Sequence, residues 1–204
     1  ARTVVIGHRV PSRPAGTPEA PQRRARTQFI CVGQVAAHKG CDLVADALAR
    51  LHAEGHDVAC WMLGAAESDW ARALRARHGD LEARGLLQFP GYVADPAPWL
   101  AAADVHVMAS QVPETFGIAV VEAKAAARPS IVSAIGALPE LVRDGVDGAL
   151  VAPGDAEALV AAMRTYAIDA GRTAAHGASA LASIAALGLD RIPQAWAELY
   201  GAPR

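Results

Sequence analysis

Six short apolar runs, each followed by a stretch with helical spacing, constrain this chain more than any other feature. QFICVG (28–33), VACWMLG (58–64), LLQFPG (86–91), DVHVMAS (104–110), SIVSA (130–134) and GALVAP (148–153) read as strands. Most are apolar throughout, which is the pattern of strands covered on both faces. Helical spacing occupies KGCDLVADALARLHAEG (39–55), SDWARALRARHGDLEARG (68–85, with Ser68 as N-cap), PAPWLAAA (96–103), the helix that carries Glu122, and ALPELVRDG (137–145). From Asp155 onward the pattern is helical and ends in DRIPQAWAELYG, and there is no internal repeat. Strands alternating with helices predict an α/β domain built on a doubly wound, Rossmann-like parallel sheet. Ligands of such sheets bind at the carboxyl ends of the strands. Three loops therefore matter: Gly33 to Lys39, Gly91 to Asp95, and Ser110 to Gly117.

Length and charge narrow the classes. A chain of 204 residues buries a substantial core and fits one domain with appendages. No apolar run approaches the ~20 residues of a membrane span. The chain begins without Met or a signal sequence, so it is expected to be part of a longer protein. Nineteen basic against 21 acidic side chains give −2, which argues against a nucleic-acid-binding surface. Arg9, Arg13, Arg23, Arg24 and Arg26 do cluster among Pro11, Pro14, Pro18 and Pro21. That segment reads as a solvated linker, with peripheral contact to an anionic membrane as the sharper alternative. Cys31, Cys41 and Cys60 lack C-x-x-C spacing and read as reduced core residues of a cytoplasmic protein. His52 and His56 are one turn apart but end a helix at Gly55 with no third ligand, and His106 lies inside an apolar strand as a core histidine.

One helix poses a problem. In PETFGIAVVEAKAAARPSIVS (113–133), a segment of Ile, Val and Ala carries the carboxylate of Glu122, eight residues after Glu114. An ionised carboxylate in apolar surroundings costs several kcal/mol unless it is hydrogen-bonded. Lys124, two positions on, points off a different side of the helix. Glu122 therefore reads as a group that awaits a ligand. A carboxylate can accept two hydroxyl donors at once. Glu114 lies in the loop ahead of the helix, close to the amides of Phe116, Gly117 and Ile118, which have no intrahelical acceptor and suit anionic oxygen. Gly33 lets backbone approach a diphosphate, and Lys39 at the start of the next helix can neutralise it, although the loop is neither G-x-G-x-x-G nor a Walker P-loop.

VGQVAAHKGCDLVADAL, GYVADPAPWLAAADVHVMAS, PETFGIAVVEAKAAARPSIVS and GALPELVRDGVDGALVAPGD resemble, in order and spacing, four segments of retaining glycosyltransferases of the two-Rossmann-domain (GT-B) type, family 4. The resemblance covers about residues 28 to 170, and its E-x7-E element encloses Phe116 and Gly117. It implies a C-terminal domain that binds a nucleoside-diphosphate sugar, in an enzyme of the hexosyltransferase kind. Residues 1–27 would be the linker from an acceptor domain, 28–188 the donor domain, and 189–204 a helix crossing back to the acceptor domain. In the roles so implied, Glu122 holds the ribose and Glu114 grips sugar hydroxyls. Lys39 stabilises the departing diphosphate, beside Gly33 and Gln34. The backbone of Tyr92 and Val93 holds the base, and the amides of Phe116, Gly117 and Ile118 meet sugar and phosphate. Glu114 and Lys39 are thus the candidate catalytic residues. The acidic metal-binding motif of single-domain transferases is absent, so neither a catalytic metal nor a separate cofactor is expected. Two departures stand out: the family usually has Arg at the position of Gln34, and two successive glycines near IGALPE. They keep open a binding or regulatory module without turnover, and a GT-B-like epimerase or phosphorylase remains a third reading.

Overall fold

The computed structural model describes residues 26–184. The proposed linker up to Ala25, with its Pro/Arg cluster, and the expected terminal helix 189–204 lie outside the described residues. The strands are β1 (Thr27–Val32), β2 (Val58–Leu63), β3 (Leu87–Gly91), β4 (Val105–Met108), β5 (Ser130–Ser133) and β6 (Gly148–Val151). They form one six-stranded sheet in the order β3-β2-β1-β4-β5-β6, with every pair parallel. The expected doubly wound sheet is the observed one.

Alternate residues of β1 and β2 supply two cores. Phe29, Cys60 and Met62 face α1 (Cys41–Ala53), α2 (Asp69–Arg77), α3 (Gly79–Ala83) and α7 (Ala156–Ile168), through Leu48, Leu51, Leu74, Leu81 and Met163. On the other face Ile30, Trp61 and Leu63 pack against Trp99 and Leu100 of α4 (Ala97–Ala102) and Ala123 of α5 (Ile118–Ala125). The Trp61 and Trp99 rings meet edge to face, with centroids 5.3 Å apart. Farther along, Val132 packs with Val120 of α5 and with Leu138 and Leu141 of α6 (Leu138–Leu141). The last described helix is α8 (Ala170–Ser183).

Four helical expectations need correction. Lys39 does not open α1; it ends a separate 3-10 turn over Ala37–Lys39, and α1 begins at Cys41. The stretch 68–85 is two helices, because the backbone leaves helical geometry at His78 and Gly79, a weak helix former, follows. His78 is nearly buried there, with Nε2 3.1 Å from Asp46 Oδ1. The helix expected over 137–145 is only the four residues of α6, because Asp147 draws the chain into a turn by accepting from the Arg143 amide at 2.8 Å. The helical tail after Asp155 is likewise split at Asp169, whose side chain caps α8 through the Arg172 amide. Ser68 caps α2 as expected, accepting from the Ala71 amide at 3.1 Å.

The cysteines are free thiols; Cys41 and Cys60 are buried and Cys31 is half-buried. His52 and His56 face different partners: His52 Nε2 is 2.6 Å from Arg84, and His56 Nε2 is 3.8 Å from Glu54. His106 is fully buried, with Nδ1 3.1 Å from Ser130 Oγ. Its Nε2 has no partner among the described residues, so this core histidine is only half satisfied.

Candidate functional site

Strand order reverses between β1 and β4, so the chain leaves these neighbours toward opposite ends of the sheet. The loops at their carboxyl ends diverge and leave a crevice, the place where open α/β sheets receive ligands. The loop after β1 brings Lys39, and the loop after β4 brings Ser110 and Glu114. Lys39 Nζ lies 2.6 Å from Glu114 Oε1, and the same carboxylate oxygen accepts from Ser110 Oγ. The two loops are also joined by the Gln111 amide, which donates to the His38 carbonyl at 2.8 Å. Burial favours the neutral form of Glu114, but the hydrogen bonds from Lys39 and Ser110, with the nearby charges, outweigh it and hold the carboxyl below its ordinary range. Glu114 is therefore an anion before any ligand arrives.

The loop after β5 secures Glu114 from behind. The Ala137 amide donates to the Glu114 carbonyl at 2.9 Å. Gly136 lies against the same backbone, in the left-handed region at φ 60°; a Cβ there would stand 2.5 Å from both the amide nitrogen and the carbonyl oxygen of Glu114. Glycine is therefore required at this position.

On the other side of β1 the strand ends are stepped together. The Gly33 amide donates to Leu63, the Val35 amide to Ala65, and the Gly64 amide to Gly91, at 2.9, 3.0 and 2.9 Å. A Cβ on Gly64 would overlap the Gly33 carbonyl. The result is an open cleft of about 330 Å³ lined by Gly33, Gln34, Leu63, Gly64, Tyr92 and Val93 among others. Val93 is buried against the Trp61–Trp99 core, whereas Tyr92 is 73% exposed. Gly33 and Gln34 also border a narrow crevice with Lys39, so Gln34 stands between the cleft and the Lys39–Glu114 pair.

Helix α5 starts at Gly117, which has no side-chain cap, and its exposed first residue is Ile118. The free amides of the first turn thus open beside the Glu114 loop. Phe116, half-buried, precedes them. Glu122 is half-buried, and no hydrogen bond or ion pair reaches its carboxylate among the described residues. Burial, then the charge of Asp95, pushes its carboxyl above the ordinary range. Lys124 does point away: it is fully buried, with Nζ 3.0 Å from Asp147 Oδ2.

The structure therefore groups Gly33, Gln34, Tyr92 and Val93 in one cleft, Lys39 with Glu114 at its edge, and Phe116, Gly117, Ile118 and Glu122 on the loop and helix that follow. The sequence marks Ser110 and Asp95 only as ends of loops, without a role, and does not single out Gly64. Ser110 ends an apolar strand in a polar turn, which was a usable signal. Asp95 reads as the N-terminal bracket of α4, accepting from the Ala97 amide at 3.0 Å, and nothing in the sequence places it near Glu122.

The family model described as "Glycosyl transferases group 1" matches residues 26–169. The lipopolysaccharide core biosynthesis mannosyltransferase LpcC of Rhizobium leguminosarum bv. viciae is 33% identical over 177 residues, covering 83% of this chain and 49% of that protein. The D-inositol 3-phosphate glycosyltransferase of Streptomyces griseus is 39% identical over 106 residues, which is 52% of this chain and 22% of that protein. Among solved structures, Anabaena HepE in complex with UDP and glucose superposes with a TM-score of 0.78 at 28% identity, over 87% of this chain and 49% of HepE. The C-terminal domain of LpcC from Francisella tularensis has the same fold, with a TM-score of 0.69 at 22% identity over 78% of this chain and 85% of that domain. The chain thus spans about half the length of the full-length LpcC and HepE relatives.

Proposed function

The chain belongs to the group 1 glycosyl transferases, and from that premise we propose that it is the donor-binding domain of a retaining, family 4 glycosyltransferase that takes a sugar from a nucleoside-diphosphate sugar. The acceptor is held by a further domain, and the reaction occurs between the two. The nucleoside lies in the cleft beside Gly33, Tyr92 and Val93, with its ribose on Glu122. The diphosphate reaches Lys39 and the first amides of α5, and the sugar hydroxyls meet Glu114. The acceptor attacks on the face that the diphosphate leaves, and the leaving phosphate helps to take the acceptor's proton. Lys39 and the α5 amides stabilise the charge that develops on the leaving group. The names of the relatives, a lipopolysaccharide core mannosyltransferase among them, support a place in envelope polysaccharide synthesis, and the proposed enzyme works on the cytoplasmic side. No helix among the described residues is long and apolar enough to cross a membrane.

The observation that carries this reading is the 2.6 Å contact of Lys39 with Glu114 across the strand-order reversal. It joins a cation suited to phosphate and an anion suited to hydroxyls at the point where a diphosphate meets a sugar. A thermal-shift screen of the chain against UDP, GDP and ADP tests it. A ligand at a hundred times its dissociation constant stabilises by roughly 2.7 kcal/mol, and one nucleotide of the three is expected to do so. No shift with any of them at millimolar concentration would contradict the reading.

A further inference from the structure

Helix α5 has two functional ends and one buried anchor. Lys124 and Asp147 are each 1% exposed. Lys124 Nζ bonds Asp147 Oδ2 at 3.0 Å and donates to Ser183 Oγ, near the end of α8, at 2.8 Å. Asp147 is filled further by the Arg143 amide and the Arg143 Nε, each at 2.8 Å. One ammonium thus joins three separate pieces: α5, the turn between α6 and β6, and α8. A buried ion pair adds little stability over apolar residues of similar volume, because desolvation consumes most of its attraction. Its distinctive property is direction: it accepts one placement of its partners where an apolar contact accepts several. Glu122 lies two positions from Lys124 on the same helix, hence on another side.

From this geometry we infer that Lys124 and Asp147 are positioning residues, which fix α5 so that Glu122 and the amides at Gly117 and Ile118 face the nucleotide in register with the Gln34–Lys39 wall. The inference rests on the proposed donor site, and its test separates the two. The chain is titrated with UDP and with GDP as wild type, as Lys124→Met/Asp147→Leu, and with Glu122→Ala added to each. The apolar double variant avoids stranding a buried charge, and Arg143, 60% exposed, remains solvated. It should melt close to wild type, lowered only by the Arg143 amide that loses its acceptor, yet bind nucleotide about fivefold to thirtyfold more weakly, the upper bound being loss of the Glu122 contact altogether. Adding Glu122→Ala to it should then change little, because the carboxylate is already misplaced. Wild-type affinity in the double variant, with Glu122→Ala still carrying its full effect, would overturn the inference. Should the double variant melt early, Ser183→Ala removes the tether to α8 together with the hydroxyl's own bond to the Ala180 carbonyl, and leaves the Lys124–Asp147 pair in place. A loss of about twofold or more at unchanged melting temperature is then expected, and unchanged affinity would overturn it. A wild-type chain that binds neither nucleotide would overturn the donor site itself.

Discussion

Glu114 and Glu122 share a motif and are both half-buried, but among the described residues only Glu114 has side-chain partners. Glu114 is an anion held by Lys39 and Ser110, whereas Glu122 is half-buried with burial pressing it toward the neutral form. Their alanine variants should therefore part company. Glu122→Ala should weaken a nucleoside diphosphate by about 2 kcal/mol, some thirtyfold, by removing charge-assisted bonds to the ribose. Glu114→Ala releases Lys39 for phosphate, so free diphosphate should bind equally or more tightly while the sugar-bearing donor binds less tightly. Calorimetry with UDP and a UDP-sugar separates them, and equal losses of both ligands in Glu114→Ala would contradict its role. Gln34, exposed beside Lys39, offers only neutral donors where the family resemblance leads one to expect Arg. Gln34→Arg adds a forked cation worth about 1 kcal/mol, so a diphosphate should bind about fivefold tighter and the gain should shrink with salt. The nucleoside alone should bind unchanged, and equal tightening of both would mean a packing effect.

Whole elements were more legible in the sequence than their ends. The six strands appear because buried parallel strands are apolar on both faces and are bounded by turn residues. Their order in the sheet follows from no local signal; it is fixed by which helices cover which face. Local competition erased the long helices. Gly79 and the His78–Asp46 contact divide one, and the Asp147 carboxylate ends another. Lys39 was legible as a cation near phosphate but not as the partner of Glu114, because that contact spans 75 residues and depends on the β1–β4 adjacency. The Lys124–Asp147 pair was hidden for the same reason. The β4–β5 pairing adds a pH response, since His106 stands in register with Ser130 and complete burial pushes its imidazole from 6.5 down to about 4. A depressed folded-state value means that the unfolded chain binds the proton first. Stability from neutral His106 is thus full above pH 6.5 and is lost as pH falls toward 4, by about 3 kcal/mol. Denaturant unfolding across that window, compared with His106→Leu, should show a shallower loss in the variant; identical slopes would mean that His106 takes up no proton on unfolding.

At the scale of the whole molecule, a parallel sheet with its loops gathered at one edge makes a surface that can hold a donor but supplies no second wall. Positioning of two reactants provides much of the rate of a group transfer, so the chain by itself should bind nucleotide without transferring sugar. The central claim is that the ligand lies across the ends of β1, β3 and β4 and along the start of α5. Amide NMR of the 21.1 kDa chain titrated with UDP or GDP tests it most directly. The predicted result is a saturable set of shifts at Gly33, Gln34, Lys39, Tyr92, Val93, Gly117 and Ile118, abolished or strongly weakened by Glu122→Ala. Shifts gathered instead around Arg143, Val146 and Ser183, on the far side of α5, would contradict the account.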